Sequence, residues 1–372
     1  MTWIAPSTIL NPPAASVLHG KHGCPDREHP AQTLSTTVQS PVESEDGKRE
    51  GPCGGSCRAK TMKVSRQFAT LAVALALGGV LLAQPDATAF AEDQAASVSA
   101  NPAPTPEQLR ALLAQVVENQ HRNDRAIEEF ERTEHVVSRD GKENSEVDSD
   151  RIDRVLPSGT GIMRLEIKQD GKPVSLEDHR HQLEGAIKAL ELVIHPNDRY
   201  KRDYEKFEKR RQDRAELVDN VPKAFRVTWA GRETRGDRTL AKLLLEPNPD
   251  YKPVSRLTGT FEHVRATMWV DESAAQVARV EAEIVTDIGF GGGVIGKIYR
   301  GGRFMLEQTE VEPGIWLPTL YAYDIDGRKF LFPFDAHERT ETSQYRRVWP
   351  PSRAIEMLRS ELNGLTAETP AR

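Results

Sequence analysis

Gly291-Gly292-Gly293-Val294-Ile295-Gly296-Lys297-Ile298 comes nearer to a ligand-binding motif than any other stretch of the chain. It satisfies G-x-G-x-x-G and departs at its last position from the phosphate loop G-x-x-x-x-G-K-[ST]. Phosphate binding needs a hydroxyl for magnesium and a following helix whose first N–H groups meet the anion. Ile298 has no hydroxyl, and Lys297 to Gly302 reads as strand and glycine. A hairpin connection is therefore expected there. His179 and His181 lie two apart in a predicted helix and point away from each other. His337-Glu338-x-x-Glu341 lacks the second histidine of a zinc-protease helix and falls on a strand. Glu281 and Glu283 share a strand face with Arg279 and Asp287, the pattern of an exposed, salt-linked surface. No G-x-S-x-G elbow occurs. The three cysteines, Cys24, Cys53 and Cys57, precede Met62, and with His19, His22 and His29 they make no metal-ligand spacing. No catalytic residue, metal site or cofactor is expected, and the chain reads as non-enzymatic.

The elements explain more than the motifs do. Phe261 to Ile288 reads as two strands joined at Asp271-Glu272-Ser273-Ala274. Val264, Ala266, Met268 and Val270 share one face, and His263, Arg265, Thr267 and Trp269 the other. The second strand sets Ala278, Val280, Ala282, Ile284 and Ile288 against Arg279, Glu281, Glu283 and Asp287. Such period-two alternation predicts antiparallel strands with one buried and one wet face. Further strands are expected over Phe130–Val137, up to Val155, at Met163–Ile167, Phe225–Trp229, Leu240–Leu245, Ile298–Gln308, Ile315–Ile325, Lys329–Phe334 and Thr340–Val348. Asp140-Gly141, Asp170-Gly171, Gly236-Asp237 and Asp326-Gly327 supply turns.

Thr105, Pro106 and Gln108 form a capping box ahead of the stripe Leu109, Leu112, Leu113, Val116, Val117, Gln120, so an amphipathic helix must lie on the sheet. Ser175 with Asp178 opens a second helical region carrying Leu183, Ala186, Ile187, Leu190 and Ile194 on one side. Its continuation from Asp198 to Asp219 is a mixed-charge run, expected to be a solvated face. The fold class that follows is α+β: a large curved antiparallel sheet of about nine to eleven strands, an unclosed β-barrel, covered on one face by helices.

Of 372 residues, 38% are hydrophobic and 28% charged, with a net charge of -6, which excludes the basic footprint of a nucleic-acid binder. Residues 1–61 lack apolar periodicity and read as disordered or upstream of the true start. Met62 then opens a secretory signal over 62–91. Lys63 and Arg66 precede an apolar run from Phe68 to Ala83, shorter than a membrane span, and Ala89-Phe90-Ala91 offers a cleavage site. An uncleaved membrane anchor is the alternative. Residues 92–104 read as a linker, 105–349 as the folded domain with a helical insertion at 175–220, and 350–372 as a tail with a short helix.

From Leu109 onward, and most strongly from Leu244 to Val348, the chain resembles uncharacterised secreted bacterial proteins that look like outer-membrane lipoprotein-sorting proteins, the LolA/LolB-like group. Pro247-Asn248-Pro249, Tyr251-Lys252-Pro253, Met268-Trp269-Val270-Asp271, Val277 to Glu283, Gly302-Arg303-Phe304, Leu306-Glu307-Gln308 and Trp316-Leu317-Pro318 carry the resemblance. It implies a strongly curved unclosed barrel under helices, with an apolar cavity for acyl chains. The residues' own pattern points the same way: one sheet face and two short helices make a thin core, and leftover apolar surface is where ligands bind. Val264, Ala266, Met268, Ala282, Ile284, Phe304, Leu306, Trp316 and Phe332 are the candidate lining of that space. The expected protein is a periplasmic monomer with transient membrane contact, whose partners are lipid or lipoprotein acyl chains and not nucleic acid. The alternative is an envelope sensor or scaffold that binds a protein through the sheet edge and has no cavity. Exported protein is expected to begin near Glu92, which N-terminal sequencing of secreted material checks; residues before Met62 on it overturn the reading of 1–61 as upstream of the true start.

Overall fold

A computed structural model of the chain describes residues 103–139, 146–291, 293, 295–330 and 332–367. The readings of residues 1–61, of the signal at 62–91, of nearly all the 92–104 linker and of the Asp140-Gly141 turn lie outside the described residues. Strands dominate the described part. They are β1 (Phe130–Arg139), β2 (Val147–Pro157), β3 (Ile162–Gln169), β4 (Lys172–Pro173), β5 (Phe225–Arg235), β6 (Arg238–Pro247) and β7 (Val264–Asp271). The series continues with β8 (Gln276–Ile284), β9 (Ile288–Phe290), β10 (Gly296–Ile298), β11 (Arg303–Glu312), β12 (Ile315–Lys329) and β13 (Phe332–Arg347). All pair antiparallel in one 13-stranded sheet, ordered β4-β3-β2-β1-β13-β12-β11-β8-β7-β6-β5, with β9 and β10 branching from the far end of β12. The path ends at β4 and β5, so the sheet is unclosed.

Local sequence sets the turns. Asp170 and Gly171, at φ 49° and 78°, make the two-residue link from β3 to β4, and Gly236 at φ 63° turns β5 into β6. In the β7–β8 turn the Asp271 carboxylate accepts from the Ser273 and Ala274 N–H groups, both at 2.9 Å, and from Ser273 Oγ at 2.6 Å. The stretch before β7, Thr258–His263, is a 3-10 helix, not the start of a strand.

Among the described residues four α-helices accompany the sheet: α1 (Pro106–Ala126), α2 (Leu176–Ile194), α3 (Asp198–Ala224) and α4 (Pro351–Ala367). The Thr105–Gln108 capping box forms as the spacing requires, Ser175 caps α2 and Asn197 caps α3. Leu113 and Val116 of α1 and Leu217, Val221 and Ala224 of α3 pack into the main core with Val264, Ala266, Met268, Val280, Ala282 and Ile284. The start of α3 is wet, with ion pairs such as Lys206–Asp203 and Lys209–Asp213, both at 3.1 Å; only its last turns are core. Helices α2 and α4 build a second core over Leu156 and Leu165, on the opposite face of β2 and β3. The helical cover expected on one face is thus completed by a pair on the other. Among the described residues no helix is long and apolar enough to cross a membrane.

A β-bulge between Trp269 and Val270 corrects one expectation. Trp269 pairs with Arg279 and Val270 with Val277, so Ala278 is the extra residue and turns to the other face, where it joins Leu240, Trp269 and Trp316. Leu358 of α4, read from sequence as part of a tail, is fully buried. Leu358→Ala is expected to cost about 2–5 kcal/mol in urea denaturation, whereas a detached tail would leave stability unchanged.

Candidate functional site

Residues paired across an antiparallel sheet share a face, so the register traces the inner surface strand by strand. One row runs Leu245, Ala266, Ala282, Phe304, Tyr323, Glu338. The next runs Leu243, Met268, Val280, Leu306, Tyr321, Thr340, Val136, Arg151. Both begin apolar at β6; the first ends on Glu338 of β13, and the second passes Thr340 of β13 and Val136 of β1 to end on Arg151 of β2. Of the nine candidate lining residues, Val264, Ala266, Met268, Ala282, Ile284, Phe304 and Leu306 stand together at the apolar end, at most 4% exposed. The other two lie elsewhere. Trp316 is in the opposite-face cluster with Trp269, its ring under the Arg238 guanidinium at 4.7 Å. Phe332 is 64% exposed at the β12–β13 turn.

The charged end is buried as well. Arg132 and Glu134 of β1 are 3% and 2% exposed, and Arg132 Nε donates to Glu134 Oε1 at 2.7 Å. Arg164 of β3 pairs with the other oxygen of Glu134 and stands 3.4 Å from Asp153 Oδ2, which Arg151 Nε approaches at 2.8 Å. Burial alone would raise the Glu134 carboxyl, but the Arg132 and Arg164 charges outweigh it and hold the group below its ordinary range. Asp153 and Glu338 go the other way: burial pushes both up, and their arginines only partly offset it. Tyr321, on the boundary between the two ends, has its phenol pushed up by burial and by Glu338. Among the described residues, Tyr321 OH, Thr340 Oγ1 and Arg164 Nε are buried without a hydrogen-bond partner. These groups can hydrogen-bond a polar atom delivered to the boundary.

The second half of α1 is fastened to the sheet by side-chain amides. Asn119 Nδ2 donates to the carbonyls of Ala274 and Ala275 at 3.0 and 2.8 Å. Asn123 Nδ2 donates to Gln276 Oε1 at 2.8 Å, and its Oδ1 accepts from the Trp316 backbone N–H at 3.1 Å. Burial raises the neighbouring Asp124 carboxyl. The first half meets the core through Leu109, Leu112, Leu113 and Val116.

On the opposite face a cleft of about 360 Å³ is lined by Glu131, Arg132, Thr133, Arg154, Ile167, Gln344 and Arg346. Glu131 is held there between Arg154, at 3.0 Å, and Arg346. Gly291 and Gly293, at φ 57° and 81°, lie between β9 and β10, and a strand follows where a phosphate loop would need a helix. His179 pairs with Glu361 at 3.1 Å, His337 with Asp324 at 2.9 Å, and Arg279 with Glu281 and with Glu307. Among the described residues no cluster of histidine, cysteine and carboxylate side chains could hold a metal ion.

No family model matches the sequence, and no curated protein matches it. Solved structures do resemble it. A DUF1329 family protein from Desulfovibrio piger is 11% identical, aligned over 64% of this chain and 93% of its own, with a TM-score of 0.25. A LolA superfamily protein from Nitrosomonas europaea is 10% identical over 66% and 96%, TM-score 0.26. A domain described as an outer membrane lipoprotein-sorting protein, from Vibrio parahaemolyticus, is 8% identical over 66% and 99%, TM-score 0.22. Scores this low leave the fold assignment to the strand pairing itself: an α+β unclosed antiparallel sheet with accompanying helices.

The charged end went unread in the sequence, although β1 to β3 carry charge on both faces, as Glu131-Arg132 and Asp153-Arg154 show. Glu134→Gln is expected to cost about 3–5 kcal/mol at pH 7, because the buried Arg132 and the partly buried Arg164 lose their counter-charge. The sign follows from the depressed carboxyl: its contribution is present above the unfolded value near 4.5 and is lost as pH falls through the lower folded value. Denaturation of both proteins at pH 7 and at about pH 3 should show the gap closing in acid; a gap independent of pH would refute the ion-pair account.

Proposed function

We propose that the protein is a non-enzymatic envelope protein, exported to the periplasm, that binds an amphiphile against the inner face of its sheet. The ligand class is a lipid, a free acyl chain or an acylated protein. The observation that carries this reading is the change of character along each cross-strand row, from Leu243 and Met268 at one end to Thr340 and Arg151 at the other. An acyl chain lying across the strands meets alkyl and aromatic side chains over its tail. Its polar end reaches Tyr321, Thr340 and Arg164, where buried groups have hydrogen bonds to give. The small pair Ala266 and Ala282, directly opposite each other, lowers the floor in the middle of the apolar part. The first half of α1, which joins the same core through side chains without hydrogen-bonding groups, is the element whose displacement would admit a chain.

One observation favours the second reading, an envelope sensor or scaffold that binds a protein partner. Val264, Met268, Val280 and Ile284 are completely buried, so the apolar part is already packed by the protein's own helices. A fluorescent fatty acid separates the two readings. An amphiphile binder takes it up saturably and gains stability from it, about 2.7 kcal/mol at a hundredfold excess over Kd. Ala282→Trp, which fills the floor, should then weaken uptake at least tenfold at small cost in stability, whereas in a close-packed core the same overpacking costs about 1–3 kcal/mol or more. No saturable uptake by the unaltered protein abandons the amphiphile reading in favour of the scaffold.

A further inference from the structure

Four exposed apolar residues gather at one place, the shared tip of the β9–β10 and β12–β13 hairpins. Ile295 is 50% exposed, Phe330 51% and Phe332 64%, with Tyr299 at 37%. Strand pairing brings them together: Gly296 pairs with Lys329, Lys329 pairs with Phe332, and the Phe330 N–H donates to the Ile295 carbonyl at 3.0 Å. Phe330 is held at φ 54°, a left-handed conformation that a phenylalanine rarely adopts. Arg328 braces the tip by donating to the carbonyls of Phe330, at 2.9 Å, and Gly293, at 2.8 Å. The two loops are thus fixed to each other with their apolar side chains outward. A buried role does not explain these residues, since Phe330 and Phe332 stand outside the main core that Phe334 joins.

Charge is layered behind the tip. The first layer of strand positions holds Lys329, and the next pairs Lys297 with Arg328. Acids come after that: Asp326 pairs with Asp335, about 10 Å from the Lys329 layer at the rise of an extended strand. Lys297 reaches back to Asp287 at 2.6 Å. An apolar tip backed by cations complements an anionic bilayer, whose acyl boundary is followed outward by phosphates.

We propose that this tip is a membrane-docking surface, inserting Ile295, Phe330 and Phe332 into an anionic lipid bilayer with Lys297, Arg328 and Lys329 at the phosphate level. The surface is separate from the inner face, so it stands or falls independently of amphiphile binding. Sedimentation with large vesicles of phosphatidylcholine, with and without phosphatidylglycerol, tests it on the full chain. The protein should bind the phosphatidylglycerol vesicles at least tenfold more tightly, and the difference should shrink as salt is raised. The double variant Phe330→Asn, Phe332→Ser should lose at least tenfold in vesicle binding. Its melting temperature should not fall, because asparagine accepts the left-handed conformation at 330 and serine replaces an exposed ring. Absence of vesicle binding by the unaltered protein overturns the proposal. So does equal binding by the variant, or a tip-dependent association with a second copy or another protein in place of vesicles.

Discussion

Everything in this fold depends on the register of an antiparallel sheet whose side chains alternate strictly between two faces. Pairing Ala266 with Ala282 places Val264, Met268, Val280 and Ile284 under the helices, and the same pairing sends Arg265, Glu281 and Glu283 outward. A slip of one residue would exchange those sets and put three charges beneath α1 and α3. Because β8 passes its register to β11, and β11 to β12 and β13, the choice made in one hairpin is carried across the sheet. The helices then have little freedom. Two of them meet the apolar part of one face, and the other two cover Leu156 and Leu165 where β2 and β3 become apolar on the reverse side.

Helix α1 is fixed by a different kind of contact. A primary amide both donates and accepts, so Asn119, Asn123, Gln276 and Gln308 satisfy backbone and side-chain groups in a buried place without bringing a charge there. Such a network is directional where apolar packing is not, and it gives the end of α1 one position against the β7–β8 turn. The front of the same helix rests on leucine and valine. The two halves of one helix therefore differ in how much its displacement would disturb: hydrogen bonds at one end, apolar contact at the other.

Much of this was legible in the sequence. The capping box at Thr105, the turn pairs Asp170-Gly171 and Gly236-Asp237, and the alternation in β7 and β8 act over a few residues, and each formed as its chemistry demands. The α+β unclosed antiparallel sheet followed from them. What was not legible depends on distant pairing. The bulge at Trp269 moves Ala278 to the other face, and no local signal marks it. Trp316 and Phe332 resemble core residues by type, but Trp316 lies beyond a register shift in β12 and packs with Trp269, and Phe332 sits where the chain turns. The amides of α1 continue the apolar stripe in helical spacing, and only their partners 150 or more residues away explain their burial. The charges of β1 to β3 read as a wet face because a lone strand does not reveal that its polar side will meet that of another.

That buried charge needs a reason other than stability. An arginine–carboxylate network taken out of water loses hydration that its internal attraction only roughly recovers, and well-packed apolar residues in its place are often as stable or more so. Glu134 and Arg132 are nevertheless almost completely buried, while Asp153 is pushed toward its neutral form. What the network supplies is definition. Arg164 on β3 bonds to Glu134 on β1 across the intervening β2, so the register of three strands is locked by one ion pair whose misplacement would leave a buried charge alone. On this face the apolar half has no such ion pair among the described residues and relies on shape. A sheet that is apolar at one end and ionic at the other, on the same face, therefore fixes its register at the ionic end by directed bonds. Its apolar end keeps only the constraint of close packing, which tolerates substitution of one alkyl surface for another. Of the two ends, the apolar one is where a ligand's chain could replace a protein side chain without leaving a charge or a hydrogen bond unmet.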